Sequence, residues 1–189
     1  MILLTPVLLL LALSGCFTEV VEDFTETCPQ FFVNPGGIRS PPTVFAGNNY
    51  KQICQVRYNN YEYATFYDTN NKIPVYSAYR FEGLEHCERI EKWYIEPQLE
   101  DSSGSWRMER ENKSVQYNHQ AVNADYAKSG YNKGHLAPVY HAESQSCADA
   151  TFTLTNLART RVMSSRLVAN CNDQSHMDPD FLQGFNTHR

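Results

Sequence analysis

The residues best suited to chemistry lie in the run Asp125-Tyr126-Ala127-Lys128-Ser129-Gly130-Tyr131-Asn132-Lys133-Gly134-His135-Leu136-Ala137-Pro138. A histidine there follows a glycine and a cation. A neutral imidazole at His135 can take a proton near neutral pH, Lys133 supplies positive charge, and Gly134 lets backbone approach a ligand closely. That trio suits attack of water on a phosphodiester. The same residues also read as a loop histidine with a chance basic neighbour. Other constellations say less. His135, His141 and Cys147 suggest zinc by residue type, yet no paired ligand spacing recurs. Glu96 and Glu100 flank Leu99 as a carboxylate pair and are expected to be solvated loop acids.

Any such site must be built by one compact domain. The chain has 189 residues, 42% of them hydrophobic and 20% charged, with 12 Tyr, 10 Phe and 2 Trp. That composition can bury a core and rules out wholesale disorder. The formal net charge of −5 excludes a globally basic surface that would hold nucleic acid by counterion release. Phosphate chemistry, if present, is local.

The elements expected around the motif are short. Thr18, followed by Glu19, Glu22 and Asp23, has the composition of a helix N-terminus. Pro29, Pro35, Gly36, Gly37, Pro41 and Pro42 keep residues 28–49 extended and looping. The spacing from Tyr50 to Arg57 is compatible with a short helix. Tyr61, Tyr63, Thr65 and Tyr67 alternate, Thr69-Asn70-Asn71 supplies turn chemistry, and Val75 to Tyr79 resumes with β-formers, so an antiparallel hairpin is expected with Pro74 at the start of its second strand. Trp93-Tyr94-Ile95 is a third short strand, Glu100 to Gln120 a polar loop, and Thr151 to Thr155 a last strand. Beyond Asn156, residues Leu157, Val162, Met163, Leu167 and Val168 fit one face of a short helix, and the chain from Asn172 onward is expected to be unstructured.

The N-terminus points to export. Ile2 to Leu13 is an almost unbroken apolar run followed by Ser14, Gly15 and Cys16, which reads as a secretory signal over residues 1–16 and is too short to span a bilayer. No Lys or Arg precedes it. Leu13-Ser14-Gly15-Cys16 also resembles a bacterial lipoprotein box, in which Cys16 would carry lipid. Cleavage after Cys16 leaves Cys28, Cys54, Cys87, Cys147 and Cys171, an odd number for an oxidising compartment. Sequence does not settle their connectivity, and Cys28 with Cys54 is the first pairing expected. Asn112-Lys113-Ser114 is a glycosylation sequon in a polar stretch, with Asn112 the acceptor.

The wider pattern adds a resemblance. The His135 segment resembles the Asp-Arg-Gly-His-x-x-Pro signature of the DNA/RNA non-specific endonucleases, the ββα-metal family, and is most similar to the secreted endonuclease-domain-containing proteins of vertebrates, fish among them. Thr27 to Phe32, Tyr50 to Cys54, Ile73 to Tyr79, Glu96 to Glu100 and Thr151 to Asn156 look like that group, so the resemblance covers roughly residues 17–156. It implies an α+β fold, a ββα-metal nuclease-like core with a small antiparallel sheet. It also implies a secreted enzyme cutting DNA and RNA, with His135 activating water and one hydrated Mg²⁺, or another divalent cation, stabilising the developing charge. By the same resemblance Lys133 and Gly134 bind substrate, and Asn156 matches the asparagine whose amide supports the metal and phosphate site.

Two departures accompany these matches. Asn132-Lys133 stands where the family has Asp-Arg, so the planar fork that grips phosphate oxygens in pairs is absent. The family's direct metal ligand is a further asparagine about nine residues past the one matched by Asn156, and the corresponding position here is Ser165, beside Ser164. No metal ligand is therefore assigned. Residues 157–189 are expected to form a divergent tail and the domain to be truncated, with activity impaired or replaced by binding alone. No membrane association is expected after signal cleavage, and oligomeric state is open.

Overall fold

A computed structural model describes residues 19–161, apart from 33–35, 39, 43–44 and 85. The signal, the lipoprotein box, Thr18, Ser165 and Cys171 lie outside the described residues. Among the described residues the strands and α-helices run in chain order β1 (Val20–Val21), α1 (Phe24–Thr27), β2 (Tyr50–Arg57), β3 (Asn60–Asp68), β4 (Ile73–Ala78), β5 (Tyr94–Ile95), α2 (Pro97–Glu100), β6 (Glu109–Arg110), α3 (Asn123–Tyr126), β7 (Tyr131–His135), α4 (Gln145–Ala150) and β8 (Leu157–Arg161). The class is α+β, with small antiparallel sheets and short helices, as the sequence led us to expect.

The main sheet has the order β1-β2-β3-β4, all antiparallel. The expected hairpin is β3–β4, at one side of the sheet. The turn expected at Thr69-Asn70-Asn71 is closed by Asp68, which accepts the Asn70 and Asn71 amides at 2.9 and 3.1 Å. Pro74 sits in edge strand β4, where a missing N–H is tolerated.

Strand β3 is buried on both faces, and period-2 alternation sorts its side chains between them. Ala64 and Phe66 join Phe24, Phe32 and Cys54 on one face. Tyr63 and Tyr67 face the other way, toward Met108 and Ala150 and toward Leu99 respectively. On the first face the Cys28–Cys54 disulfide, with an S–S distance of 1.98 Å, ties the N-terminal segment to β2.

Four expectations are corrected. Tyr50–Arg57 is strand β2, not a helix; Ile53 through Arg57 are all buried, so the polar/apolar contrast that marks a one-sided strand is missing. Val20–Val21 pairs with Ile53 and Gln52 as β1, and the helix starts later, capped by Asp23 accepting the Thr25 amide at 2.7 Å. Residues 151–155 are not a strand, because their hydroxyls take other bonds: Thr151 to the Ala148 carbonyl at 2.7 Å, Thr153 with the Tyr63 hydroxyl at 2.6 Å and Thr155 to Glu96 at 2.9 Å. Thr153 forms an isolated parallel bridge to Tyr94. Leu157–Arg161 is strand β8 rather than a helix, recruited by β7. Within the expected polar loop, Glu109–Arg110 also forms a strand, β6, against β5.

Candidate active site

His135 ends strand β7. The β7–β8 ladder pairs Tyr131 with Arg161 and continues in register to His135 with Leu157. Gly134 lies opposite Ala158, and a Cβ placed on it would stand 2.5 Å from Thr160 Cγ2. The glycine therefore serves close cross-strand packing.

Asn156, in the 3₁₀ turn Leu154–Asn156, is completely buried. Its Oδ1 accepts from the Ala137 amide at 2.9 Å and the Ser77 hydroxyl at 3.0 Å, and its Nδ2 donates to the Ala137 and Thr151 carbonyls at 3.1 and 3.0 Å. The Asn156 carbonyl also accepts the Leu136 amide at 3.0 Å. Every direction of the side chain is taken, so Asn156 holds the backbone that follows His135 and does not itself meet a substrate. These bonds give it a positioning role behind His135.

The His135 ring packs between two aromatics, with centroids 5.3 Å from Trp93 and 4.8 Å from Phe152. Its Nε2 is buried without a hydrogen-bond partner. Burial first, then the nearby positive charge of Arg89, pushes the imidazole down to about 4, with Glu91 pulling the other way. The ring is neutral across the physiological range, the form a base requires.

Lys133 lies over Trp93 with Nζ 4.3 Å from the ring centroid, and it donates to Asn123 Oδ1 at 2.5 Å. Burial lowers its pKa below the usual lysine value although Glu111 and Glu91 favour the charge. Beside these residues runs a cleft of two adjoining hollows, about 820 and 660 Å³, both lined by Trp93. Arg89, Arg110, Lys113 and Lys133 line it against Glu91 and Glu111, so a chain of charge −5 presents a locally positive groove. His135 lines neither hollow; Trp93, whose ring packs on the imidazole, does.

The described residues do not fit a ready inner-sphere metal site. They contain no group of three or more His, Cys, Asp or Glu arranged to hold a metal, and the Asn156 oxygen is already engaged. No zinc group forms either, since His135, His141 and Cys147 are not brought together to hold a metal among the described residues. Asn112 is exposed, its side chain accepting the Ser114 amide at 3.0 Å in a local turn. Glu100 partly fulfils its loop expectation, accepting the Asn118 and His119 amides at 2.9 and 3.0 Å. Glu96 does not: it is fully buried, as is Glu19, which the sequence placed in a helical first turn. No local pattern marks either one, because what buries them is the docking of distant segments.

A histidine at the end of a strand, its following backbone clamped by a buried asparagine, thus stands beside a cationic cleft on an α+β frame. The chain belongs to the DNA/RNA non-specific endonuclease family, whose model matches residues 41–158. It is 33% identical to the human endonuclease domain-containing 1 protein over 138 residues, 69% of this chain and 26% of that protein. It is 50% identical to human mitochondrial endonuclease G over 50 residues, 26% of this chain and 17% of that protein. The chain thus spans about a quarter or less of the length of these curated relatives. A solved EndoG/EndoGI complex aligns with 53% of this chain and 38% of its own at 20% identity and a TM-score of 0.33. The family is one of nucleases, and membership implies a divalent cation. Among the described residues no helix is long and apolar enough to cross a membrane.

Proposed function

We propose that the protein is a secreted, metal-dependent endonuclease that hydrolyses phosphodiester bonds in DNA and RNA. The observation that carries this reading is the conjunction, inside the family-matched region, of a neutral His135 with a groove of four cations and two acids in a chain that is acidic overall. The groove attracts the phosphate backbone, Arg89 and Lys133 bring positive charge to it, and His135 takes a proton from the attacking water. Asn156 keeps the imidazole in place through Leu136 and Ala137. Mg²⁺ is the cation we expect. Since the described residues form no cage for it, each of these steps is assigned to the chain's own groups. Secretion is supported by the apolar leader and by the Cys28–Cys54 bridge. We further propose that residues 17–156 carry the nuclease domain and that 157–189 form a divergent tail, of which β8 completes the sheet that bears His135.

Supercoiled plasmid in Mg²⁺ tests the reading: the purified chain nicks it, and a chelator or His135→Ala abolishes the nicking. Cleavage surviving His135→Ala overturns the role given to His135. A second reading, a secreted nuclease-like protein that binds nucleic acid without cutting it, is favoured by one observation: Nε2 of His135 is buried beside Trp93. Retention of labelled DNA with no nicking across several divalent ions would establish it.

A further inference from the structure

Asn156 is not the only completely buried polar side chain among the described residues. Glu19, Glu96 and Gln55 each have 0% exposure. Glu19 precedes β1, Gln55 comes from β2, and Glu96 precedes α2. Glu96 Oε1 accepts from the Thr155 hydroxyl at 2.9 Å, and Gln55 Nε2 donates to that same hydroxyl oxygen at 3.1 Å. Both Glu19 carboxyl oxygens, Glu96 Oε2 and Gln55 Oε1 are buried without a donor. The two carboxyl groups lie side by side.

Their surroundings add acids rather than cations. Glu109 of β6 presses further negative charge on Glu19. Tyr63 and Tyr67 of β3 face Glu96, and burial holds both phenols protonated far above their ordinary range. The Val56 backbone on Glu19 and the Thr155 and Gln55 side chains on Glu96 favour the charged forms. Yet two ionised carboxylates cannot share a dry pocket at tolerable cost, whereas one proton between them relieves the repulsion.

We propose that Glu19 and Glu96 form a carboxyl pair holding a single proton, and that the pair positions, through Thr155, the turn from which Asn156 clamps the backbone after His135. The backbone around Glu19 is anchored accordingly: its amide and that of Val20 donate to Gln98 Oε1 at 2.8 and 3.1 Å, and its carbonyl accepts the Cys54 amide at 2.8 Å. Burial first, then the Glu96 charge, raises Glu19 well above the ordinary 4.5, and burial raises Glu96 as well. The folded chain thus keeps a proton that the unfolded chain has released. The contribution of the pair is complete below the ordinary glutamate range and is lost as pH rises toward the raised value. The folding equilibrium constant falls about tenfold per pH unit across that window.

The existence of the pair stands apart from the proposed function, while its effect on His135 rests on that reading. The experiment uses the full chain and E19Q and E96Q variants, with three readouts from mildly acidic to alkaline pH: the infrared band of a protonated carboxyl, the melting temperature, and the kcat and KM of plasmid nicking. A band at neutral pH that E19Q removes, a wild-type melting temperature that falls with alkalinity and flattens in E19Q, and an alkaline loss of kcat at constant KM that E19Q moves to higher pH are expected. Absence of the band from the wild type at neutral pH overturns the proposal, even where neither variant folds. So does a melting temperature that Ca²⁺ or Mg²⁺ raises in the wild type but not in E19Q, which would make the pair a cation site. A band present in a chain that never nicks would leave the pair standing and remove the nuclease reading.

Discussion

Replacing Asn156 by alanine tests whether the His135 site is held from behind. The side chain makes four hydrogen bonds in a site with no solvent access. Ser77 loses least, since its hydroxyl also lies 3.2 Å from Thr65 Oγ1. The Ala137 amide and the Ala137 and Thr151 carbonyls lose a partner inside the protein. An orphaned buried group costs roughly 1–3 kcal/mol, and partial repair by neighbours brings the expected total to about 3 kcal/mol. For a chain of this size that lowers the melting temperature by about 6–12 °C. Thermal unfolding followed by circular dichroism measures the shift, and plasmid nicking measures the consequence: kcat falls while KM holds, because no substrate contact is removed. Asn156→Asp separates the hydrogen bonds from the shape, because a carboxylate faces the Ala137 and Thr151 carbonyls without a donor. That variant is expected to be less stable than Asn156→Ala at neutral pH and to recover on acidification as the acid regains a proton to donate. An alanine variant that melts within a degree or two of wild type and cuts normally would refute the positioning role.

Further outcomes follow at Gly134, His135 and Asn112. Gly134→Ala forces a methyl to 2.5 Å from Thr160 Cγ2 and is expected to destabilise by about 1–3 kcal/mol; Thr160→Ala in the same chain restores much of the loss, a coupling a double-mutant melting cycle reads directly. Because His135 is pushed down to about 4, the acid limb of the nicking profile falls near that value and not near the ordinary histidine value of 6.5. The lowered pKa also costs stability as pH drops from 6.5 toward 4, where only the unfolded chain gains the proton, so Phe substituted at His135 should flatten melting curves over that interval. Asn112→Gln removes a glycan-sized mass from chain exported through a eukaryotic secretory pathway, since Asn112 is exposed in its turn; unchanged mass would show that the sequon is unused.

Local chemistry determined the parts that depend on neighbours in the chain. The β3–β4 hairpin was legible because β-branched and aromatic residues alternate on either side of the turn residues Thr69-Asn70-Asn71, where the Asp68 carboxylate accepts the Asn70 backbone amide and the Asn71 side-chain amide. The histidine motif was legible because its residue types follow one another directly. Tertiary structure decided the rest. Tyr50–Arg57 is a strand because Val20–Val21 and β3 flank it, and burial on both faces hides the period that would have announced it. Leu157–Arg161 is a strand because β7 offers a ladder, not because of its own propensity. Asn156, read as part of the chemistry, became a clamp once Ser77, Ala137 and Thr151 closed around it. Glu19 and Glu96, 77 positions apart in the sequence, became neighbours only when the N-terminal strand docked on the sheet. A side chain's type sets which bonds it can make, but whether water remains to compete for them depends on segments distant in the chain, and that competition settles burial, protonation and role.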